Sequence, residues 1–437
     1  MKSGSFLAIF LFILTSIFCG SARQVRLPAP ETRQKIGSES CQFYLQPYQK
    51  TTISVDGSIQ TPRIVTRDKT MATVEISWPR YQDGKGSELK IEHADFATWQ
   101  QVYRECPAQS AMFLNTPASR LVFENYLTSG RQPKSVTFID DRRIVIPYML
   151  EKGAEVIHIL TGERAWLRPP EEWARHTGFV ESLVLPGEIW ISQMYISKIH
   201  VFDRRSLAYK TTISLSARWP KVLTYDSGRK LVYASNWGSH DISVIDPSGH
   251  KEIRRIKTGG VPRGMLVMED GTLFAAQFGG ENDTDGKGLL LQIDVETGRI
   301  LNRYGRPGSK RHIARGKDFV YISDMSDGSI DVFSRATSSV INRIPVYSKP
   351  NTIVLSPDQR TLFVSCRGPN NPQSYLIKGH QMGRVYLIDT LSQAVTEYRE
   401  GGNQPTGLDV SPDGLYLASS DFLDAAIRIY RILPGAP

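Results

Sequence analysis

A chain that repeats one short unit at near-constant spacing must build its core by stacking the copies, because no single copy buries its own apolar face. The clearest unit here runs from Leu231 to Asp246, LVYASNWGSHDISVID. It reads as a short apolar strand, a small polar residue, a turn, and a second strand ending in Asp. Further copies are LFAAQFGG…LLLQID (Leu273 to Asp294), VYISDMSDGSIDVF (Val320 to Phe333), LFVSCRGP…RVYLID (Leu362 to Asp389) and LYLASSDFLDAAIRIY (Leu415 to Tyr430). Helix-period runs are scarce and strand-like runs are bounded by turn residues, so the expected class is all-β.

Seven units open at Gln132-Pro-Lys, Phe179-Val-Glu, Trp219-Pro-Lys, Val261-Pro-Arg, Ser309-Lys-Arg, Lys349-Pro-Asn and Gln404-Pro-Thr, about 40 to 55 residues apart. That spacing is the length of a four-stranded blade. The last unit stops at Ile432 after its third strand, while Leu121-Val-Phe-Glu-Asn-Tyr-Leu127 precedes the first unit and looks like the outer strands Lys251 to Lys257 and Arg299 to Tyr304. We expect this early strand to complete the seventh blade and close the ring, since an open circle leaves an unpaired edge.

The unit is similar to the YVTN-type repeat, matching at Tyr233, Ala234, Ser235 and Asn236 and again from Ser243 to Asp246. SPDQRTLFVS (Ser356 to Ser365) and SPDGLYLASS (Ser411 to Ser420) carry the associated Ser-Pro-Asp-Gly-like turn. The resemblance covers about residues 120 to 432. It implies a seven-bladed β-propeller, related to lactonase-like propellers, exported or surface-located in many relatives and usually without an assigned enzymatic activity. The first two units lack the Ser-Pro-Asp-Gly turn, and the fifth opens on the altered Ser309-Lys-Arg.

Four segments are expected: a signal peptide at 1–22, a linker at 23–40, a small mainly-β domain at 41–118 and the propeller at 119–433. Lys2, the apolar run Phe6 to Phe18, and small residues at Gly20 and Ala22 have the order of a cleaved export signal. The apolar run is short for a transmembrane span, and Cys19 offers a lipid anchor as the alternative. The destination is then the periplasm or the cell surface. In an oxidising compartment Cys41 and Cys106 are the expected disulfide, worth roughly 4 kcal/mol on a chain-entropy account. Cys366, within a repeat, reads as a small buried residue. In the small domain Thr73 to Trp78 and Ser87 to Glu92 alternate as half-buried strands around the turn Asp83-Gly-Lys-Gly86, and Asp95 to Glu105 suits a short helix or a strand.

The formal net charge is +9, mild for 437 residues but favouring anionic partners. The third residue of each lead-in gives Lys134, Glu181, Lys221, Arg263, Arg311, Asn351 and Thr406, a mostly basic ring at one mouth. The motif-Asn position gives Tyr148, Gln193, Asn236, Gln277, Asp324, Cys366 and Ser419, expected to satisfy loop amides. Met149, Met194, Trp237, Phe278, Met325 and Arg367 come next, the first five an apolar set able to pack between blades or to face a ligand. Two loops are long. Gly279 to Gly288 places Glu281, Asp283 and Asp285 at alternate positions, a weak calcium pattern, and Arg367 to Arg384 reads as a recognition loop.

No HExxH, Gly-x-Ser-x-Gly or Cys-x-x-Cys signature is present, and the eight histidines are scattered. The expected function is therefore an exported, monomeric, non-enzymatic propeller without a cofactor or metal. It would bind a protein or anionic ligand through Lys134, Glu181, Lys221, Arg263, Arg311, Asn236, Trp237, Phe278, Asp324 and Arg367. A lactonase-like hydrolase using Glu181 or Asp324 is one alternative. A single-stranded nucleic-acid binder using the basic and aromatic groups is another.

Overall fold

The computed structural model describes residues 35–46, 51–67, 72–82, 87–93, 100–103, 112–113, 119–280 and 288–434. The expected signal peptide, Cys19, Cys106 and the acidic positions 281–285 lie outside them. Among the described residues, no helix is long and apolar enough to cross a membrane. The chain divides into two compact units, Met1–Met112 and Phe113–Pro437.

The first unit contains two four-stranded sheets. In one, Lys35–Gln46 pairs antiparallel with Ala72–Tyr81, between Arg63–Arg67 and Met112–Phe113. Val74, Ile76 and Trp78 are buried while Ser77 is exposed, the period-two pattern of a strand with one covered face. Lys35–Gln46 begins inside the stretch expected as a linker. Cys41 is buried and disulfide-bonded. The other sheet joins Ser58–Gln60, Thr51–Val55, Leu89–His93 and Gln100–Tyr103, the last a strand where helix and strand were both open.

The second unit contains seven four-stranded antiparallel sheets in chain order. Six are built from residues 137–167, 179–214, 220–257, 261–304, 310–345 and 350–400. The seventh joins Pro405–Val410, Tyr416–Asp421 and Ala426–Pro434 to Ser119–Thr128. Ser119–Thr128 pairs antiparallel along Ala426–Pro434, with Leu127 opposite Ile427 and Leu121 opposite Ile432. Each innermost strand contacts the next, and Thr137–Phe138 of the first sheet contacts Pro405–Val410 of the last. This is a propeller-like, all-β arrangement.

Packing follows from strands that are apolar on both faces. In the third sheet Val232 and Ala234 join a cluster with Trp190, Val201 and Ile213 of the second, while Tyr233 joins Met265, Leu273 and Ala275 of the fourth. Seven such interfaces occur, including Ile144 and Ile157 against Ala418 and Ile429 where first meets seventh. Outer strands such as Lys251–Lys257 alternate and carry exposed charges, which discourages pairing with another chain. Gly264 and Gly407 sit where inner strands approach most closely: a Cβ would lie 2.8 Å from the Arg311 carbonyl oxygen or 2.6 Å from the Val136 nitrogen.

Candidate functional site

The start of each inner strand carries the same irregularity. Pairing is regular at Pro220, Pro262, Lys310, Pro350 and Pro405, and resumes out of step at Leu223, Met265, Ile313, Ile353 and Leu408. A bulge re-aims the side chains within it, and those side chains are Lys221, Arg263, Arg311, Asn351 and Thr406. The bulge also leaves a backbone N–H to be satisfied, which explains the small polar residue of the repeat. Val222, His312, Thr352 and Gly407 donate their N–H groups to Ser235, Ser323, Ser365 and Ser420 Oγ at 3.1, 3.0, 3.1 and 2.8 Å.

A second repeated bond fixes the residue after the next strand. The N–H groups of Met149, Trp237, Arg367 and Phe422 donate to the carbonyls of Gln132, Trp219, Lys349 and Gln404 at 3.0, 2.9, 3.0 and 3.1 Å. Those four carbonyl residues precede proline and have φ of 57° to 60°, a left-handed backbone that non-glycine residues seldom adopt. Both rings of side chains are thus set by backbone geometry.

The basic residues face one common space. Lys134, Lys221, Arg263, Arg311 and Arg367 are all at least nine-tenths buried. Burial, followed by the charges of Arg311, Arg367, Lys221 and Arg263, holds the Lys134 ammonium well below its usual pKa. Lys221 is lowered well below its usual value by burial, then by Arg263 and Arg311. Burial lowers Arg263 to about 10. Glu181, partly exposed, stands among them; burial raises it against the opposing pull of Arg263, Lys134, Arg311 and Lys221. His312 stands beside Arg311 and Arg263 and is lowered to about 4, chiefly by burial. Groups from the first, third, fourth, fifth and sixth sheets sense one another here, so the site lies at the centre of the succession.

Aromatic and sulfur groups line it. Lys134 Nζ lies 4.6 Å from the Phe422 ring centroid. Lys221 Nζ is 5.0 Å and the Arg263 guanidinium 4.9 Å from the Trp237 ring, and Trp237 meets Phe278 edge-on at 5.4 Å. Lys221 Nζ also rests 2.6 Å from Met194 Sδ. Met149, Val180, Met194 and Phe422 form an apolar collar on one side. Arg311 Nε donates to Asn351 Oδ1, and Asn351 Nδ2 to the Thr406 carbonyl at 3.1 Å. Among the described residues no acceptor reaches Arg263 Nε or Nη1.

Two expected site residues are taken up elsewhere. Asp324 is wholly buried, accepts from Lys310 Nζ at 2.7 Å and from the Ser309 N–H at 2.9 Å, and works inside the fifth sheet. Asn236 is likewise buried, donating to Asp241 Oδ1 at 3.1 Å and Ser243 Oγ at 2.8 Å. Gln193 and Gln277 donate to loop carbonyls, those of His176 at 2.7 Å and Thr258 at 3.0 Å. Cys366 is a buried free thiol. Among the described residues, no group of His, Cys, Asp and Glu is arranged to hold a metal ion.

Antigen Lp49 of Leptospira interrogans is 42% identical to this chain over 431 residues, covering 97% of the chain and 94% of Lp49. The chain belongs to the Lp49 family. An uncharacterized protein, YncE of Salmonella typhi, is 26% identical over 195 residues, 44% of this chain and 54% of YncE. No family model matches the chain. Hydrazine synthase of Kuenenia stuttgartiensis superposes with a TM-score of 0.55 at 16% identity, over 70% of this chain and 97% of that one, a likeness of fold alone.

Sequence reading of this Lp49-family chain missed Phe422. Pro405 pairs with Asp421 as Pro220 pairs with Asn236, so the seventh motif position is Asp421 and not Ser419. The signal was available: Asp421-Phe422 parallels Asp324-Met325 and Asn236-Trp237. Glu181 stands one place beyond the register of Lys221, whose equivalent is Val180, yet its carboxylate still faces the cations. Gln404, named as a lead-in, and Tyr375, within the loop read as a recognition loop, are joined by a hydrogen bond from Gln404 Nε2 to the Tyr375 carbonyl.

Proposed function

We propose that this chain is an exported seven-bladed β-propeller of the YVTN-repeat type, closed by Ser119–Thr128, that binds an anionic ligand at its centre. The observation that carries the reading is the gathering of Lys134, Lys221, Arg263 and Arg311 around Glu181, with Arg367 beside Lys134 and with Lys221 and Arg263 sharing the Trp237 ring. Buried like charges repel strongly: at an effective dielectric of about 20, two unit charges 4 Å apart cost about 4 kcal/mol. Natural cores seldom keep such an excess unless a bound anion offsets it. Arg263, with two nitrogens unpaired, supplies the planar donor edge that carboxylates and phosphates accept.

Export and a surface or periplasmic address are supported by the leader-like residues 1–22 and by the name of the relative Lp49 as an antigen. Binding is favoured over hydrolysis because Asp324, one of two carboxylates a lactonase-like reading needs, is engaged by Lys310. The test is thermal unfolding in citrate against chloride at equal ionic strength. Citrate is expected to raise Tm of the native protein, and Lys221→Met with Arg263→Gln to abolish that response while raising basal Tm through relief of repulsion. A citrate effect that survives both substitutions would sink the assignment.

A further inference from the structure

We infer that the central site takes a small hydroxycarboxylic acid, its carboxylate on Arg263 and its hydroxyl on Glu181, and that Glu181 is the residue that sets this specificity. This rests on the anion-binding reading and adds the class of acid and the group that selects it.

Backbone and ring contacts bring the two residues together. Glu181, Lys221 and Arg263 belong to the innermost strands Phe179–Val184, Pro220–Asp226 and Val261–Val267 of three successive sheets, each strand contacting the next. Ser192 Oγ donates to the Lys221 carbonyl at 3.0 Å and reaches the Glu181 carbonyl at 3.5 Å, which fixes the first pair. Trp237 fixes the second, with Lys221 Nζ and the Arg263 guanidinium over its one ring. Arg263 is the charge that pulls hardest on Glu181, and Glu181 is the charge that acts back on Arg263.

Near as they are, the two do not pair. Among the described residues the Glu181 carboxylate accepts no hydrogen bond and enters no ion pair, and Arg263, 3% exposed, has no acceptor at Nε or Nη1. Arg311 and Arg367 differ, since they donate to Asn351 Oδ1 and Gln404 Oε1. A guanidinium buried without an acceptor keeps a desolvation cost that a bound oxygen offsets. Arg263 therefore calls for an oxygen anion, and its planar fork matches a carboxylate. A molecule bound there has Glu181 beside it, and Glu181 calls for a donor. An ammonium in that place would also face Lys221 and Arg263, whereas a hydroxyl donates without bringing a charge. A site built to bond a hydroxyl rejects the analogue that lacks it, because its own polar group is then left unpaired.

The experiment titrates the full chain calorimetrically with lactate, propionate and inorganic phosphate. These separate a hydroxy acid from its deoxy counterpart, and a carboxylate from a phosphate. Lactate is expected to bind about tenfold to a hundredfold more tightly than propionate, the range of a hydrogen bond to a charged group. Glu181→Met should erase that difference without weakening propionate, Glu181→Gln, which keeps an acceptor, should retain part of it, and Arg263→Gln should lose both acids. Equal or absent binding of lactate and propionate by the native chain, with citrate still raising its Tm, would overturn this inference and leave the anion reading standing. A preference that survives Glu181→Met would overturn the role of Glu181. Phosphate bound more tightly than lactate would overturn the choice of a carboxylate. No binding of any of the three, together with no response to citrate, would overturn the anion reading and this inference with it.

Discussion

The guanidinium of Arg263 and the ammonium of Lys221 share one face-forming residue, Trp237, at 4.9 and 5.0 Å from its ring centroid. A cation over an indole gains about 0.5 to 2 kcal/mol depending on its desolvation, and both of these are nearly buried. Trp237→Ala is therefore expected to weaken binding of citrate or pyrophosphate about tenfold, and Trp237→Phe by less. Calorimetric Kd alongside Tm separates loss of the platform from general destabilisation.

Anion binding should take up protons. Without a ligand, burial and neighbouring cations hold Lys134 and Lys221 well below the usual lysine range. A bound anion restores their charged forms and raises those pKa values. The sign follows: affinity is greatest below the lowered lysine pKa values and declines as pH rises through them. Titrations in buffers of differing ionisation enthalpy should report net uptake; net release would contradict the assignment.

Lys310 bridges Asp324 and Asp331 at 2.7 and 2.6 Å, with all three side chains essentially out of water. Lys310→Met leaves buried Asp324 without its cation and Asp331 with Arg343 alone, and breaking such a buried pair costs about 3 to 5 kcal/mol. That is a large part of a typical stability of about 5 to 15 kcal/mol. Combining Lys310→Met with Asp324→Asn and Asp331→Asn should recover most of the loss. Urea unfolding midpoints measure both; a single variant as stable as the native chain would refute the account.

Asp409 accepts the Phe138 N–H at 2.7 Å across the junction of the seventh and first sheets, and burial lifts its carboxyl from 3.8 to about 7. The folded state therefore holds a proton that the unfolded chain releases. Its contribution is complete below the unfolded pKa near 4 and is lost as pH rises through about 7. Tm should fall across that interval, and Asp409→Asn should flatten the profile by keeping an acceptor that does not ionise.

Period-two runs with apolar faces made the sheets legible, as at Val232, Tyr233 and Ala234, where successive residues enter different interfaces. The shared place of Lys221, Arg263 and Arg311 at the start of an inner strand was legible too, because each follows a proline or its substitute. What the residues could not disclose was commitment. Asp324 looked like a mouth carboxylate, and only the nearness of Lys310 shows it is taken. Choosing Ser419 over Asp421 misplaced the seventh position by two residues in LYLASSD, which pairing register resolves and composition does not. The bond from Gln404 to the Tyr375 carbonyl depends on a loop without repeat, where local sequence carries no directional signal.

Leu121 is completely buried between the sixth and seventh sheets, and Leu127 packs against the first. Leu121→Ala should cost about 2 to 5 kcal/mol. Deleting 119–128 should abolish a single cooperative unfolding transition, because Ala426–Pro434 would then face water along one edge.

The pairing of Leu127 with Ile427 joins the first and last strands of the second unit to leave the ribosome. A ribosome delivers Ser119–Thr128 long before the segment it pairs with, so the early strand must wait, unsatisfied, until nearly the whole unit has emerged. Contacts of such sequence separation are slow to form. The clasp thus acts as a timer: the unit cannot lock while its last strand is still being made, and a chain cut short by ten residues stays unlocked for good.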